Sequence, residues 1–182
     1  MKSALVILDM MNLFDFEGGK ALAVQAARIS SEVDRLRQAY TKRKFPVIFV
    51  NDNFLDWNRD FRELVATCAH PSSLGRSIVE TLRPAPTDYS VLKPKHSAFL
   101  CTVFPAILDD LKIDHLVLAG IATDACVLVT AQDAHMRKYE VVVPYDCVAA
   151  QTIARSRAAL KLMRESMKLD TSPAAAIVKR LV

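Results

Sequence analysis

The chain has 182 residues, 52% of them hydrophobic and 24% charged, with both signs interspersed and a formal net charge of +4. That length suits a single domain, residues 1–182, whose core is large enough to need no disulfide or metal staple. No run of lysine and arginine is long enough for a nucleic-acid surface, and no stretch approaches the apolar length of a membrane span, so neither partner is expected.

The N-terminal apolar run ends at Asp9, too soon for a signal peptide, which points to the cytoplasm. Cys68, Cys101, Cys126 and Cys147 are irregularly spaced with no C-x-x-C pair, as expected of free thiols in a reducing compartment. Of these, Cys68, Cys101 and Cys147 read as structural. The chain has four glycines and neither a P-loop nor a G-x-G-x-x-G turn, so no nucleotide or flavin cofactor is expected. The G-x-S-x-G elbow of serine hydrolases is also missing.

In chain order, residues 4–8 form a continuous apolar run, the pattern of a strand covered on both faces, and Asp9 closes it. Leu22, Ala26, Ile29, Val33, Leu36 and Tyr40 then recur at helical spacing. Residues 46–50 give a second strand, followed by the polar and aromatic stretch 51–57. Residues 60–68 and 73–82 read as helices, and Pro84 and Pro86 mark the loop after them. Residues 89–92 give a third strand ended by Lys93 and Pro94, and residues 98–111 a helix with Pro105 near its start. A fourth strand spans 115–119, a helix 124–138, a fifth strand 141–143 and an amphipathic helix 153–167. Leu169 is placed in a short sixth strand. Ser172 and Pro173 read as N-cap and first residue of a last helix running to Val182. The apolar segments 174–178 and 181–182 are candidates for an interface.

Strands alternating with helices predict an α/β fold with a parallel sheet and right-handed crossovers. Ligands in such sheets bind beyond the carboxyl ends of the strands. Asp9, Lys93 and Cys126 each lie at or just after a strand end. Cys126 follows Leu116-Val117-Leu118-Ala119-Gly120-Ile121-Ala122 and opens a helix, where peptide dipoles favour a thiolate. Thr123 and Asp124 read as N-caps of that helix.

A carboxylate, an ammonium and a thiol in one cleft can attack a carbonyl. Asp9, if desolvated, can take the thiol proton and hand it to a leaving amine. A lysine, Lys93 or its neighbour Lys95, stabilises the thiolate, and Cys126 adds to the carbonyl carbon. The resulting oxyanion can be held by the backbone N–H of Cys126 and, given a sharp turn, of Ala122. The competing possibility is a non-catalytic or redox-sensing thiol, against which stands the lack of a resolving cysteine close in sequence. Phe14, Trp57 and Phe99 are candidate substrate-binding residues. His96 reads as a support or surface residue.

Three segments carry a family resemblance: Leu8-Asp9-Met10-Met11-Asn12-Leu13-Phe14, Lys93-Pro94-Lys95-His96-Ser97-Ala98-Phe99, and Gly120-Ile121-Ala122-Thr123-Asp124-Ala125-Cys126-Val127. With Thr130-Ala131-Gln132-Asp133-Ala134 and Tyr145-Asp146 downstream, the chain resembles the isochorismatase-like cysteine hydrolases, the group of nicotinamidases, N-carbamoylsarcosine amidohydrolases and ureidoacrylate amidohydrolases.

The resemblance implies a catalytic triad of Asp9, Lys93 (not Lys95) and Cys126, and a cis peptide between Ile121 and Ala122 that aims the Ala122 N–H into the oxyanion hole. It implies a three-layer, Rossmann-like, six-stranded parallel sheet in the order 3-2-1-4-5-6 with helices on both faces. It also implies a homo-oligomer and an amidohydrolase acting on a small amide or ureide through a thioester. Family members that open the vinyl ether of isochorismate lack the cysteine, so Cys126 argues against a true isochorismatase. Asn51-Asp52-Asn53-Phe54 lacks the histidines with which nicotinamidases bind a metal, so no metal is expected, and a metal-free nicotinamidase-like enzyme is the alternative. Met11 stands where the family usually has glutamine.

Overall fold

The computed structural model describes residues 2–181. Six strands run parallel: β1 (Ser3–Leu8), β2 (Val47–Asp52), β3 (Tyr89–Lys93), β4 (His115–Ile121), β5 (Glu140–Val142) and β6 (Val148–Ala149). The order across the sheet is β3-β2-β1-β4-β5, as the resemblance implied. The sixth place differs. Leu169 belongs to no strand, and Asp170 makes only an isolated bridge to Val142, while β6 pairs with the upper half of β4. β5 ends after three residues, so β4 has a free upper edge that the two residues of β6 fill.

Period-two alternation sends successive side chains to opposite faces of the sheet. Leu5, Ile7, Phe49, Val117 and Ala119 pack with α1 (Gly19–Lys42), α2 (Phe61–Cys68), α3 (Arg76–Leu82) and α7 (Ala174–Arg180). Ala4, Val6, Leu8, Ile48, Val50, Leu116 and Leu118 pack with α4 (Phe104–Asp110), α5 (Leu128–Met136) and α6 (Ile153–Ser166). The result is the three-layer arrangement expected of strands covered on both faces. No helix among the described residues is long and apolar enough to cross a membrane.

Local chemistry sets several boundaries. Asp60 caps α2 in a reciprocal box with Glu63, each side chain accepting the other's backbone N–H. The helix expected over 98–111 is confined to its second half, because Cys101 takes a positive φ of 51° and Pro105 fits only the first turn. The last helix starts one residue later than expected. Pro173 occupies the cap position, and the Asp146 carboxylate, arriving from another loop, accepts the Ala174 N–H at 2.9 Å. Ala174, Ile177 and Leu181 pack into the chain's own core and are not free for an interface, and Val182 lies outside the described residues.

Candidate active site

The carboxyl ends of β1, β3 and β4 converge. Asp9 follows β1, turned back by a φ of 53°, and is 4% exposed. Its Oδ1 accepts the backbone N–H of Asp52 at 2.7 Å, and its Oδ2 stands 2.9 Å from Lys93 Nζ. Oδ2 meets Lys93 as an ion pair and has no aligned hydrogen-bond donor among the described residues. Lys93, the last residue of β3, has no exposed surface and also lies 3.7 Å from Asp52 Oδ2. Its Nζ is 3.5 Å from Cys126 Sγ. The choice between the two lysines falls on Lys93, since Lys95 is exposed.

The segment that carries Cys126 differs from the expected simple helix start. Cys126 sits in a single π-helical turn, Thr123–Val127, that runs on into α5. The turn begins after a cis peptide between Ile121 and Ala122, as implied. Thr123 and Asp124 do not cap it. Thr123 Oγ1 pairs with Ser156 Oγ at 2.9 Å, Asp124 pairs with Arg155, and Ala122 holds the cap position without a side-chain bond. Both side chains are drawn sideways to α6, which fixes the turn against the opposite helix.

Electrostatics within the cluster are opposed. Burial, then the adjacent Asp9 charge and hydrogen bond, push the Cys126 thiol up to about 12 against the pull of Lys93. Burial lowers the ammonium of Lys93, but Asp9, Cys126 and Asp52 outweigh it and hold the group above its ordinary value. Elsewhere, burial raises Cys68 to about 11.

These groups hold their protons more tightly folded than unfolded. Their stabilisation is therefore whole below the ordinary thiol value of 9.0 and is lost as pH climbs towards the folded values. Urea midpoints should be level between about pH 7 and 8.5 and fall from about pH 9 upward. Cys126→Ser should make that fall shallower.

A profile of the Isochorismatase domain matches residues 3–173, nearly the whole chain and all three strand ends. The chain belongs to the isochorismatase family. It is 32% identical over 177 residues to the isochorismatase family protein YaaI of Bacillus subtilis, covering 97% of both chains. The ureidoacrylate amidohydrolase RutB of Yersinia enterocolitica is 29% identical over 169 residues, 79% of this chain and 74% of that one. The crystal structure of N-carbamoylsarcosine amidase from Thermoplasma acidophilum superposes with a TM-score of 0.70 at 26% identity, over 96% of this chain and 97% of that one. Hydrolysis is the chemistry of the family.

The end of β2 and the turn after it do not fit a metal. Asn51 Nδ2 donates to Met11 O, Asn53 Oδ1 accepts the Leu55 N–H, and Asp52 is divided between the Phe54 N–H and Lys93. No three His, Cys, Asp or Glu side chains gather as ligands among the described residues.

Two of the expected substrate-binding residues are core residues. Phe14 is 2% exposed and packs in the α1 layer. Phe99 is 5% exposed, edge-on to Phe104 at 5.0 Å and covered by the Arg137 guanidinium. Trp57 is 72% exposed on the loop after β2. Cys68 and Cys147 are buried as expected, but Cys101 is exposed in the left-handed turn before α4 and is no part of the core.

Sequence reasoning passes over Asp52 and leaves His96 without a role. Asp52 ends β2 in register with Lys93, and it meets both charged partners of the site. Its signal is positional, a carboxylate closing the strand next to the one that Asp9 follows. His96 Nδ1 lies 3.6 Å from Cys126 Sγ.

Proposed function

We propose that this protein is a cysteine hydrolase that cleaves a C–N bond of a small amide or ureide through a thioester, without a cofactor. The observation that carries the reading is the joint placement of Asp9, Lys93 and Cys126, with Lys93 Nζ 2.9 Å from the carboxylate and 3.5 Å from the sulfur. The names of the relatives RutB and N-carbamoylsarcosine amidase add weight to a ureide or carbamoyl compound.

A thiol held at about 12 is a poor nucleophile if its proton must go to bulk water. Transfer to Asp9 is a different step. It turns a carboxylate, an ammonium and a thiol into a carboxylic acid, an ammonium and a thiolate, and the net charge of the buried cluster does not change. The Asp9 charge that opposes ionisation disappears as the thiolate forms, so the penalty against bulk ionisation is largely avoided.

The thiolate, held by Lys93, then adds to the carbonyl carbon. Backbone N–H groups of Ala122 and Cys126 would receive the oxyanion. Asp9 passes its proton to the departing nitrogen, the C–N bond breaks, and water later hydrolyses the thioester.

The test is a panel of primary amides and carbamoyl compounds with ammonia or amine release as the readout. Turnover of at least one member is expected, with loss to the uncatalysed background in Cys126→Ala. Release that survives Cys126→Ala would overturn the mechanism. Sulfenate formation on Cys126 with peroxide and no turnover of any member would favour a sensor instead.

A further inference from the structure

A cleft of about 560 Å³ opens between α1 and α6 beside β6, and none of Asp9, Lys93 and Cys126 lines it. Its size is that of a small-molecule site. Arg28 of α1 and Arg157, Lys161 and Arg164 of α6 line the cleft, and no aspartate or glutamate does. Half-buried Ile29 and buried Val148 and Leu160 supply apolar surface. The hydroxyls of Tyr145 and Thr152 add two hydrogen-bond donors.

The four cations have little structural employment. Arg28, Arg157 and Arg164 enter no ion pair among the described residues. Lys161 meets Glu165 only at 4.0 Å with both side chains largely exposed, a contact of small worth. Acidic residues on the neighbouring segments are engaged elsewhere: Glu32 with Arg35, Asp124 with Arg155, Asp170 with Arg180, and Asp146 with the Ala174 N–H.

Positions 157, 161 and 164 share one face of α6, where like charges at these spacings repel. The helix dipole favours Arg164 in the last turn of α6 but offers nothing to Arg157 in the second. Folding therefore gains little from gathering four positive charges around an apolar hollow. A bound anion would gain from all four.

We infer that this cleft is a second ligand site, built for an organic diphosphate with an apolar body. The phosphates lie along Arg157, Lys161 and Arg164, Arg28 closes on them from α1, and the carbon body rests on Ile29, Val148 and Leu160. Guanidinium groups pair with phosphate oxygens two at a time, which suits a cleft with three arginines. The α6 cations extend over two turns, roughly 10 Å, which fits an elongated anion better than a single phosphate. Two linked phosphates carry about three negative charges, close to the four positive charges that face them. The apolar side chains distinguish such a ligand from inorganic pyrophosphate, which has no surface to bury against them.

The test is calorimetric titration of the whole chain at low salt with geranyl diphosphate, inorganic pyrophosphate and geraniol. Geranyl diphosphate should bind with a dissociation constant of about 100 μM or below, and pyrophosphate and geraniol each at least about 10-fold more weakly. Arg157→Gln/Arg164→Gln should weaken geranyl diphosphate by about 100-fold, and Arg28→Gln, on the other helix, by about 10-fold. Added salt should weaken it further. Both variants should keep the wild-type melting temperature and amide turnover, and Cys126→Ala should bind geranyl diphosphate as the wild type does. Failure of both diphosphates to bind at about 1 mM would overturn the inference. Unchanged affinity in the arginine variants, geraniol binding as tightly as its diphosphate, or loss of binding in Cys126→Ala would overturn it too. None of these failures touches the cysteine-hydrolase reading, which stands or falls on amide turnover.

Discussion

Replacing Lys93 by methionine is expected to destabilise the protein by about 3–5 kcal/mol and to reduce turnover to the level of Cys126→Ala. Methionine fills similar volume, so packing is nearly conserved and the effect is electrostatic. The ammonium has no exposed surface and is the cation that faces the Asp9 carboxylate at 2.9 Å, with Asp52 at 3.7 Å. Without it, Asp9 is a buried charge with no counterion, the situation in which breaking a buried pair costs most. In a chain of this length that cost corresponds to a melting temperature lower by about 10 °C. On the proposed mechanism turnover fails for a separate reason, because the Cys126 sulfur loses the only ammonium in contact with it among the described residues.

The double variant Asp9→Asn/Lys93→Met separates the two effects. Replacing both members of a buried pair by neutral groups of similar size is often nearly neutral for stability. The double variant should therefore recover most of the melting temperature while staying inactive. A single variant as stable as the wild type would show that the pair is not held as tightly as its burial implies. Recovery of activity in the double variant would remove both residues from the mechanism.

Much of this arrangement is legible in the sequence, for a physical reason. Parallel strands buried on both faces must be continuous apolar runs, and the residue that ends each run must be the one that meets solvent or a ligand. Asp9, Lys93 and Cys126 stand out because each follows or breaks such a run. Strand order comes from the family resemblance, since nothing in the local pattern fixes which strand lies beside which.

Most of the other misreadings share a different cause, a partner distant in sequence. Asp146, not Ser172, caps the last helix from 28 residues away. Thr123 and Asp124 have the composition of caps, but Ser156 and Arg155 on α6 take their side chains. Phe14 and Phe99 stand in the segments that carry Asp9 and Lys93 and so suggest a pocket, although the packing layers claim their rings. Asp52 is lost in a polar stretch because its role depends on register with Lys93, which only the paired sheet supplies. Short-range chemistry can name the reactive groups; their supports require the fold.

The support that tolerates least change is the strand leading to Cys126, and Gly120→Ala is expected to cost about 4 kcal/mol, the sum of a conformational and a packing cost. Gly120 has a φ of 110°, a region that side chains rarely enter, worth roughly 1–3 kcal/mol. An added Cβ would also lie 2.8 Å from Leu8 N and 2.9 Å from Leu8 C, and closer still to the carbonyl oxygen. These are backbone atoms of a paired central strand, so relief requires moving β1 or β4, adding an overpacking cost of about 1–3 kcal/mol. Gly120 is also paired with Val148 on its other side and donates its N–H to Cys147 O at 2.8 Å, so β4 has no free direction in which to yield.

Gly18 is the natural control. Its φ is 78°, but a Cβ there would meet only the flexible end of Gln151, so Gly18→Ala should carry little beyond the conformational cost, about 1 kcal/mol. Equal losses in the two variants, measured by urea unfolding, would show that the Leu8 contact is not limiting. The two should also part in catalysis. Leu8 immediately precedes Asp9, and Gly120 immediately precedes the Ile121–Ala122 bond that leads to Cys126. Any separation of β1 from β4 at this level moves Asp9, the proposed proton acceptor, away from Cys126, the proposed nucleophile, and a misplacement near 1 Å costs about 10²-fold in rate. Gly120→Ala should therefore lower kcat by about that factor in the molecules that remain folded, whereas Gly18→Ala should leave it unchanged.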